Sequence, residues 1–176
     1  MAQNHNYKFL SFFYFFQNML ILAIETSCDE TSLCFMRSVD ITNNSDISSG
    51  LYSYLNSFKI LSSVISSQIE IHAEYGGVVP EIGARNHADQ IHFLFEQIIR
   101  ESGFKLDELV LELKYIFVTT TPGLPSALRV GVEFAKSLKH FIKTKYHKEV
   151  ILKNINHLKG HVASSFYELD QSLIIS

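Results

Sequence analysis

Apolar residues in this chain fall into short unbroken runs separated by longer helical stripes. Leu20-Ile21-Leu22-Ala23-Ile24 reads as a buried strand. Leu33-Cys34-Phe35-Met36 resumes as a second strand, and a third runs from about Phe58 to Ser67 through Ile60, Leu61, Val64 and Ile65. Three strands in succession predict an antiparallel meander opening an α/β domain. Next, Ala84, Ala88, Ile91, Phe95, Ile98 and Ser102 recur at helical spacing, predicting a helix from about Ile82 to Ser102 with Gly103 as its stop. Leu106 to Glu112 is a short helical turn, and Tyr115-Ile116-Phe117-Val118-Thr119 another buried strand. A second long helix is marked by Leu124, Leu128, Val132, Ala135, Leu138 and Ile142. Val150-Ile151-Leu152 then reads as a buried strand handing over to a helix that begins near His157. The element order βββαβαβα predicts a mixed sheet flanked by helices.

Three stretches break this pattern. Residues 1–18 are rich in aromatic residues (Phe9, Phe12, Phe13, Tyr14, Phe15, Phe16), but Gln17 and Asn18 interrupt them and no small-residue cleavage site follows. The run falls short of the roughly 20 mainly apolar residues of a membrane span. It reads as an extension upstream of a start at Met19. Residues 41–57, rich in Asn and Ser, read as a surface insertion. Residues 67–81 read as a long ordered connection containing Gly76-Gly77 and Pro80.

Composition narrows the picture little. The 176 residues suffice for one domain with a real core, and 47% hydrophobic with 19% charged content is that of a soluble globular protein. A net charge of −3 gives no general basic field for nucleic acid, so a local patch or a partner must supply any such affinity. Two cysteines, Cys28 and Cys34, make neither a disulfide framework nor a zinc site and fit a reducing compartment.

The chemistry-bearing residues lie where strands hand over to turns or helices. Glu25-Thr26-Ser27-Cys28-Asp29-Glu30-Thr31-Ser32 is predicted as a tight polar turn between the first two strands. Its hydroxyls and amides can approach phosphate, and Asp29 and Glu30 can hold a cation or take a proton; a solvated hairpin turn has the same composition. Pro122-Gly123-Leu124 opens the second long helix, whose amides and dipole favour an anion, although ordinary βα loops look alike. Gly131 inside that helix implies close packing against a strand or ligand. His72, His87 and His92 read singly as capping or packing residues. His157 and His161, one helical turn apart, point two imidazoles at one spot beyond a strand's carboxyl end. With a third ligand from elsewhere they would leave a divalent metal with an open position.

Four motifs stand in one order: Ile24-Glu25-Thr26-Ser27-Cys28-Asp29-Glu30-Thr31-Ser32; Ser67-Gln68 with His72-Ala73-Glu74-Tyr75-Gly76-Gly77-Val78-Val79-Pro80-Glu81 and Arg85-Asn86-His87; Pro122-Gly123-Leu124 with Ala127-Leu128-Arg129-Val130-Gly131; and Asn156-His157 with Gly160-His161. Together they closely resemble the tRNA N6-threonylcarbamoyladenosine synthase (TsaD) family, formerly labelled O-sialoglycoprotein endopeptidases, from about Met19 to Phe166. The resemblance implies an actin-like fold of the sugar kinase and Hsp70 type, with residues 19–170 as the N-terminal lobe and the second lobe absent. It implies transfer of a threonylcarbamoyl group from threonylcarbamoyl-adenylate, an ATP-like nucleotide, to N6 of the adenosine beside the anticodon. It further implies that His157 and His161 bind one divalent metal, iron or zinc, that Asp29 and Glu30 are needed for activity, and that Ser27, Pro122, Gly123 and Leu124 line the nucleotide site. The implied partners are tRNA, a paralogous dimerisation subunit and a small ATPase. The implied setting is the cytoplasm, or a mitochondrion for an organellar form, with no membrane. As half of such a protein, the chain alone is expected to be inactive.

Departures from the family pattern are Thr121 before Pro122, Pro125-Ser126 after the loop, the insertion at 41–57, and Lys159, a cation between the two histidines that must point outward. A metallopeptidase of the HExxH kind would need Glu beside the first histidine, where Leu158 stands. A non-catalytic scaffold paralogue would have no use for the histidine pair, and a sugar or acetate kinase would need an acidic base that no residue here specifies.

Overall fold

The computed structural model describes residues 19–38 and 58–167, so the 1–18 extension and the 41–57 insertion lie outside the described residues. Five strands form one sheet in the order β3-β2-β1-β4-β5. They are β1 (Leu20–Glu25), β2 (Glu30–Ser38), β3 (Phe58–Ser67), β4 (Leu113–Thr121) and β5 (Ile151–Asn156). The helices are α1 (Ile69–Ala73), α2 (Pro80–Ser102), α3 (Leu106–Glu112), α4 (Pro125–Tyr146) and α5 (His157–Tyr167). β1, β2 and β3 pair antiparallel, while β1–β4 and β4–β5 are parallel. The predicted meander and mixed sheet are both present.

Period-two alternation explains why β1 is apolar throughout. Leu20, Leu22 and Ile24 join the main core beneath α2 and α4, with Ile116 and Val118 of β4 beside them. Met19 and Ile21 point the other way and pack with Tyr115, Met36, Phe58 and Phe117. The central strands therefore bury both faces. α2 lies over β2 and β3, α4 over β1 and β4, and the two helices pack on each other.

Several boundaries differ from the sequence expectation. The polar turn is shorter than Glu25 to Ser32: β1 continues through Glu25, β2 starts at Glu30, and Glu25 pairs with Ser32. Backbone pairing to Ser67, Ser66 and Ile65 carries Glu30, Thr31 and Ser32 into the ladder whatever their side chains. Part of the irregular connection is helical, as α1. The buried line of α2 is Gly83, His87, Ile91, Leu94 and Ile98, with Ala88 exposed. An apolar-only count misses His87, which is buried because its polar atoms are all engaged. The last strand is not buried. It is the sheet edge, runs to Asn156, and has mostly exposed side chains, with only the preceding Val150 fully covered.

Gly103 ends α2 in the left-handed region, φ 75°. Gly131 serves packing. Thr26, just after β1, donates its hydroxyl to the Ala127 carbonyl at 2.9 Å and accepts the Gly131 N–H at 3.2 Å. A Cβ on residue 131 would sit 2.6 Å from Thr26 Oγ1 and 3.4 Å from Ile24 Cγ2. Gly131→Ala therefore forces α4 off the turn. We expect a net loss of about 1–3 kcal/mol, read as a lower urea midpoint, even though Ala is the better helix former.

Candidate active site

The carboxyl ends of β1, β4 and β5 converge with the start of α5. Asn156 closes β5 and accepts the Lys159 N–H on its Oδ1 at 3.1 Å, an N-cap that starts α5 at His157 without a connecting loop. His157 and His161 then lie on one face, with Nε2 atoms 2.9 Å apart and ring centroids 4.3 Å apart at 88°. Lys159 and Leu158 are exposed.

The other nitrogen of His157 faces the first turn. Nδ1 lies 3.0 Å from Ser27 Oγ and 3.4 Å from Glu25 Oε2. Glu25 is fixed in turn: Oε1 accepts the Ser27 N–H at 2.6 Å, and Oε2 accepts the Thr119 hydroxyl. Burial pushes the Glu25 carboxyl up, but hydrogen bonds from Ser27, Thr119 and His157 outweigh it, so the group titrates below its ordinary value. It is a carboxylate at neutral pH.

Neither member of the predicted acidic pair, Asp29 and Glu30, is the carboxylate at hydrogen-bond distance from His157. Glu30 is exposed at the start of β2. Asp29 is partly buried in the turn, where its carbonyl accepts the Gln68 N–H at 2.8 Å. The carboxylate that reaches His157 is Glu25, together with Thr119 a residue the sequence reading missed. The available signal was position: Glu25 closes β1 and Thr119 lies two residues before the end of β4, both at the sheet's carboxyl edge.

The Pro122-Gly123-Leu124 loop lies directly on the turn. The Leu124 N–H donates to the Ser27 carbonyl at 2.8 Å. A Cβ on residue 123 would fall 2.6 Å from that same oxygen, so only glycine permits the approach. Pro122 and Gly123 are exposed, and Leu124 is half-buried. The predicted anion site is leaner than expected. Pro122 and Pro125 have no N–H, that of Leu124 is taken and Ala127 is fully buried, so Gly123 and Ser126 are the donors the loop can offer.

Beneath the turn lies a buried polar network. His87 places Nε2 3.1 Å from the Cys28 carbonyl, and Nδ1 2.7 Å from Thr31 Oγ1 and 3.1 Å from Gln68 Nε2. Gln68 Oε1 meets His72 Nε2 at 3.2 Å. His72 and His87 are thus packing residues, as expected. Exposed His92 stacks on Phe93. Burial, and then the Asp29 charge, push the Cys28 thiol up, away from thiolate chemistry at neutral pH.

The histidine pair fits a divalent ion as two donors. Nitrogens 2.0–2.1 Å from one tetrahedral ion stand about 3.3–3.4 Å apart, so the two Nε2 atoms, 2.9 Å apart, need to open by only a few tenths of an ångström. Among the described residues no group of three or more His, Cys, Asp or Glu could hold a metal, so the pair is not a complete cage.

The model of the TsaD family, described as tRNA N6-adenosine threonylcarbamoyltransferase, matches residues 59–176. The chain belongs to that family. A tRNA N6-adenosine threonylcarbamoyltransferase of Fusobacterium nucleatum is 41% identical over 155 residues, covering 88% of this chain and 37% of the relative. One from Geobacter sp. strain M21 is 37% identical over 150 residues, covering 85% and 36%. The chain thus spans about a third of the length of these family members. Among solved structures, YeaZ from Pseudomonas aeruginosa superposes with a TM-score of 0.53 at 14% identity, covering 85% of this chain and 49% of that one. That likeness supports the actin-like fold. Among the described residues no helix is long and apolar enough to cross a membrane.

The network under the turn predicts a pH dependence of stability. Burial holds the His87 pKa below its ordinary 6.5. As pH falls below about 6.5 the unfolded chain takes the proton first, and stability declines until the native pKa is reached. The slope from this residue is at most about 1.4 kcal/mol per pH unit. Urea midpoints at pH 7.5 and 5.5 should differ more for the wild type than for His87→Gln.

Proposed function

We propose that this chain supplies half of a threonylcarbamoyl transfer site acting on tRNA. The observation that carries the reading is the convergence of His157, His161, Ser27 and the Pro122–Leu124 loop at one end of the sheet. In the proposed reaction, N6 of the adenosine beside the anticodon attacks the carbonyl carbon of threonylcarbamoyl-adenylate. The bond from that carbon to the phosphate oxygen breaks, AMP leaves, and N6 gives up a proton.

His157 and His161 would hold one divalent ion, iron or zinc. When bound, such an ion neutralises charge on a substrate oxygen. The remaining work falls to the protein. On this reading Ser27 and the amides of Gly123 and Ser126 would line the approach to the nucleotide phosphate. Asp29 and Glu30 would take the N6 proton; Glu30 is exposed on β2 and Asp29 is tethered through its carbonyl. The partners of this reading are tRNA, a paralogous dimerisation subunit and a small ATPase, in the cytoplasm.

A chimera tests the reading. Residues 19–166 of this chain replace the matching stretch of the Fusobacterium nucleatum relative, and modified adenosine is counted in tRNA digests. The chimera should form the modified nucleoside, the 176-residue chain alone should form none, and His157→Ala should lower the chimera's yield at least about 100-fold. A folded chimera that leaves tRNA unmodified while the intact relative modifies it overturns the proposal.

A further inference from the structure

We infer that Glu25 is a positioning residue for His157: its carboxylate fixes the imidazole as the Nδ1–H tautomer, so that the Nε2 lone pair faces His161. This rests on the metal reading of the histidine pair and goes beyond it by giving the two histidines unequal parts. Glu25 closes β1 and meets His157 across 132 positions of sequence. Its two oxygens are not free to turn, because the Ser27 N–H holds one and the Thr119 hydroxyl the other. A carboxylate only accepts hydrogen bonds. With Oε2 at 3.4 Å and Ser27 Oγ at 3.0 Å from Nδ1, a lone pair on that nitrogen would face negative charge, whereas an N–H is shared between the two oxygens.

The consequence reaches the second histidine. If His157 Nε2 is an acceptor, the facing His161 Nε2, 2.9 Å away, must donate in the metal-free chain. His161 is then the Nε2–H tautomer and has to surrender that hydrogen when an ion enters, while His157 needs no change. Carboxylates behind metal-bound histidines act in this way generally, holding ring orientation and raising ligand basicity. Here the carboxylate comes from the central strand of the sheet, so the aim of the pair is set by the pairing of β1, β4 and β5.

The test uses the 176-residue chain labelled with 15N-histidine and assigned with His157→Gln. Long-range 1H–15N spectra of the metal-free protein should show His157 protonated at Nδ1 and His161 at Nε2. Added Zn2+ should move the His161 hydrogen to Nδ1 and leave His157 unchanged. Glu25→Gln should abolish the single His157 tautomer and weaken zinc binding about 10–100-fold, with the circular dichroism spectrum unchanged. Thr119→Val, which frees Oε2, reads the same orientation if the Gln variant does not fold, and should weaken zinc in the same direction by less. A wild-type His157 protonated at Nε2, or zinc binding that needs His157 yet ignores both variants, overturns the role of Glu25. Zinc binding indifferent to His157→Gln instead sinks the metal reading itself.

Discussion

Four consecutive residues between β1 and β2 are each held by a different element, and the site exists because they are. Thr26 is locked into α4 through Ala127 and Gly131. The Ser27 carbonyl accepts the Leu124 N–H, and its Oγ lies 3.0 Å from His157 Nδ1. The Cys28 carbonyl takes the His87 ring nitrogen, and the Asp29 carbonyl takes the Gln68 N–H. A four-residue turn this polar would ordinarily be solvated and mobile. Here the carbonyls of Ser27, Cys28 and Asp29 and the N–H of Ser27 are all held by protein groups, which fixes the course of the turn.

That arrangement also explains where polar residues are buried. Thr26, Thr31, Gln68 and His87 are each no more than 1% exposed, a costly placement unless every polar atom has a partner. Thr31, Gln68 and His87 meet one another, with His72, Gly83 and the Cys28 carbonyl, while Thr26 is paired with Ala127 and Gly131 of α4. The network is therefore the floor of the site, and α2 is tied to the sheet through it as well as through Ile91, Leu94 and Ile98.

The strands and long helices were legible because burial on both faces of β1 and β4, and on one face of α2 and α4, leaves unbroken apolar runs and stripes in the chain. Gly131 was legible as a close approach because a glycine in a helix interior is otherwise a liability. Less visible were features that depend on neighbours. Glu30 to Ser32 look like a turn until Ser67 and Ser66 pair with them. Ile151 and Leu152 look as buried as Val150 until the strand proves to be the sheet edge. Glu25 was hidden for a similar reason. Counted along the chain it belongs with Asp29 and Glu30, but the fold sends Glu30 outward on β2 and leaves Glu25 beside His157.

Ser27 is the point at which these strands of structure join. Sequence placed it with the nucleotide loop, and the fold adds His157 to its contacts. Its carbonyl holds the Leu124 amide while its hydroxyl and its N–H engage His157 and Glu25. Gly123 presses on the same residue closely enough that no side chain fits between. The loop that opens α4 and the histidine that opens α5 therefore share one residue as their common contact. The Leu124 amide and the His157 ring are thus held by the carbonyl and the hydroxyl of one residue. Loop geometry and histidine geometry therefore meet in a single residue at the carboxyl edge of the sheet.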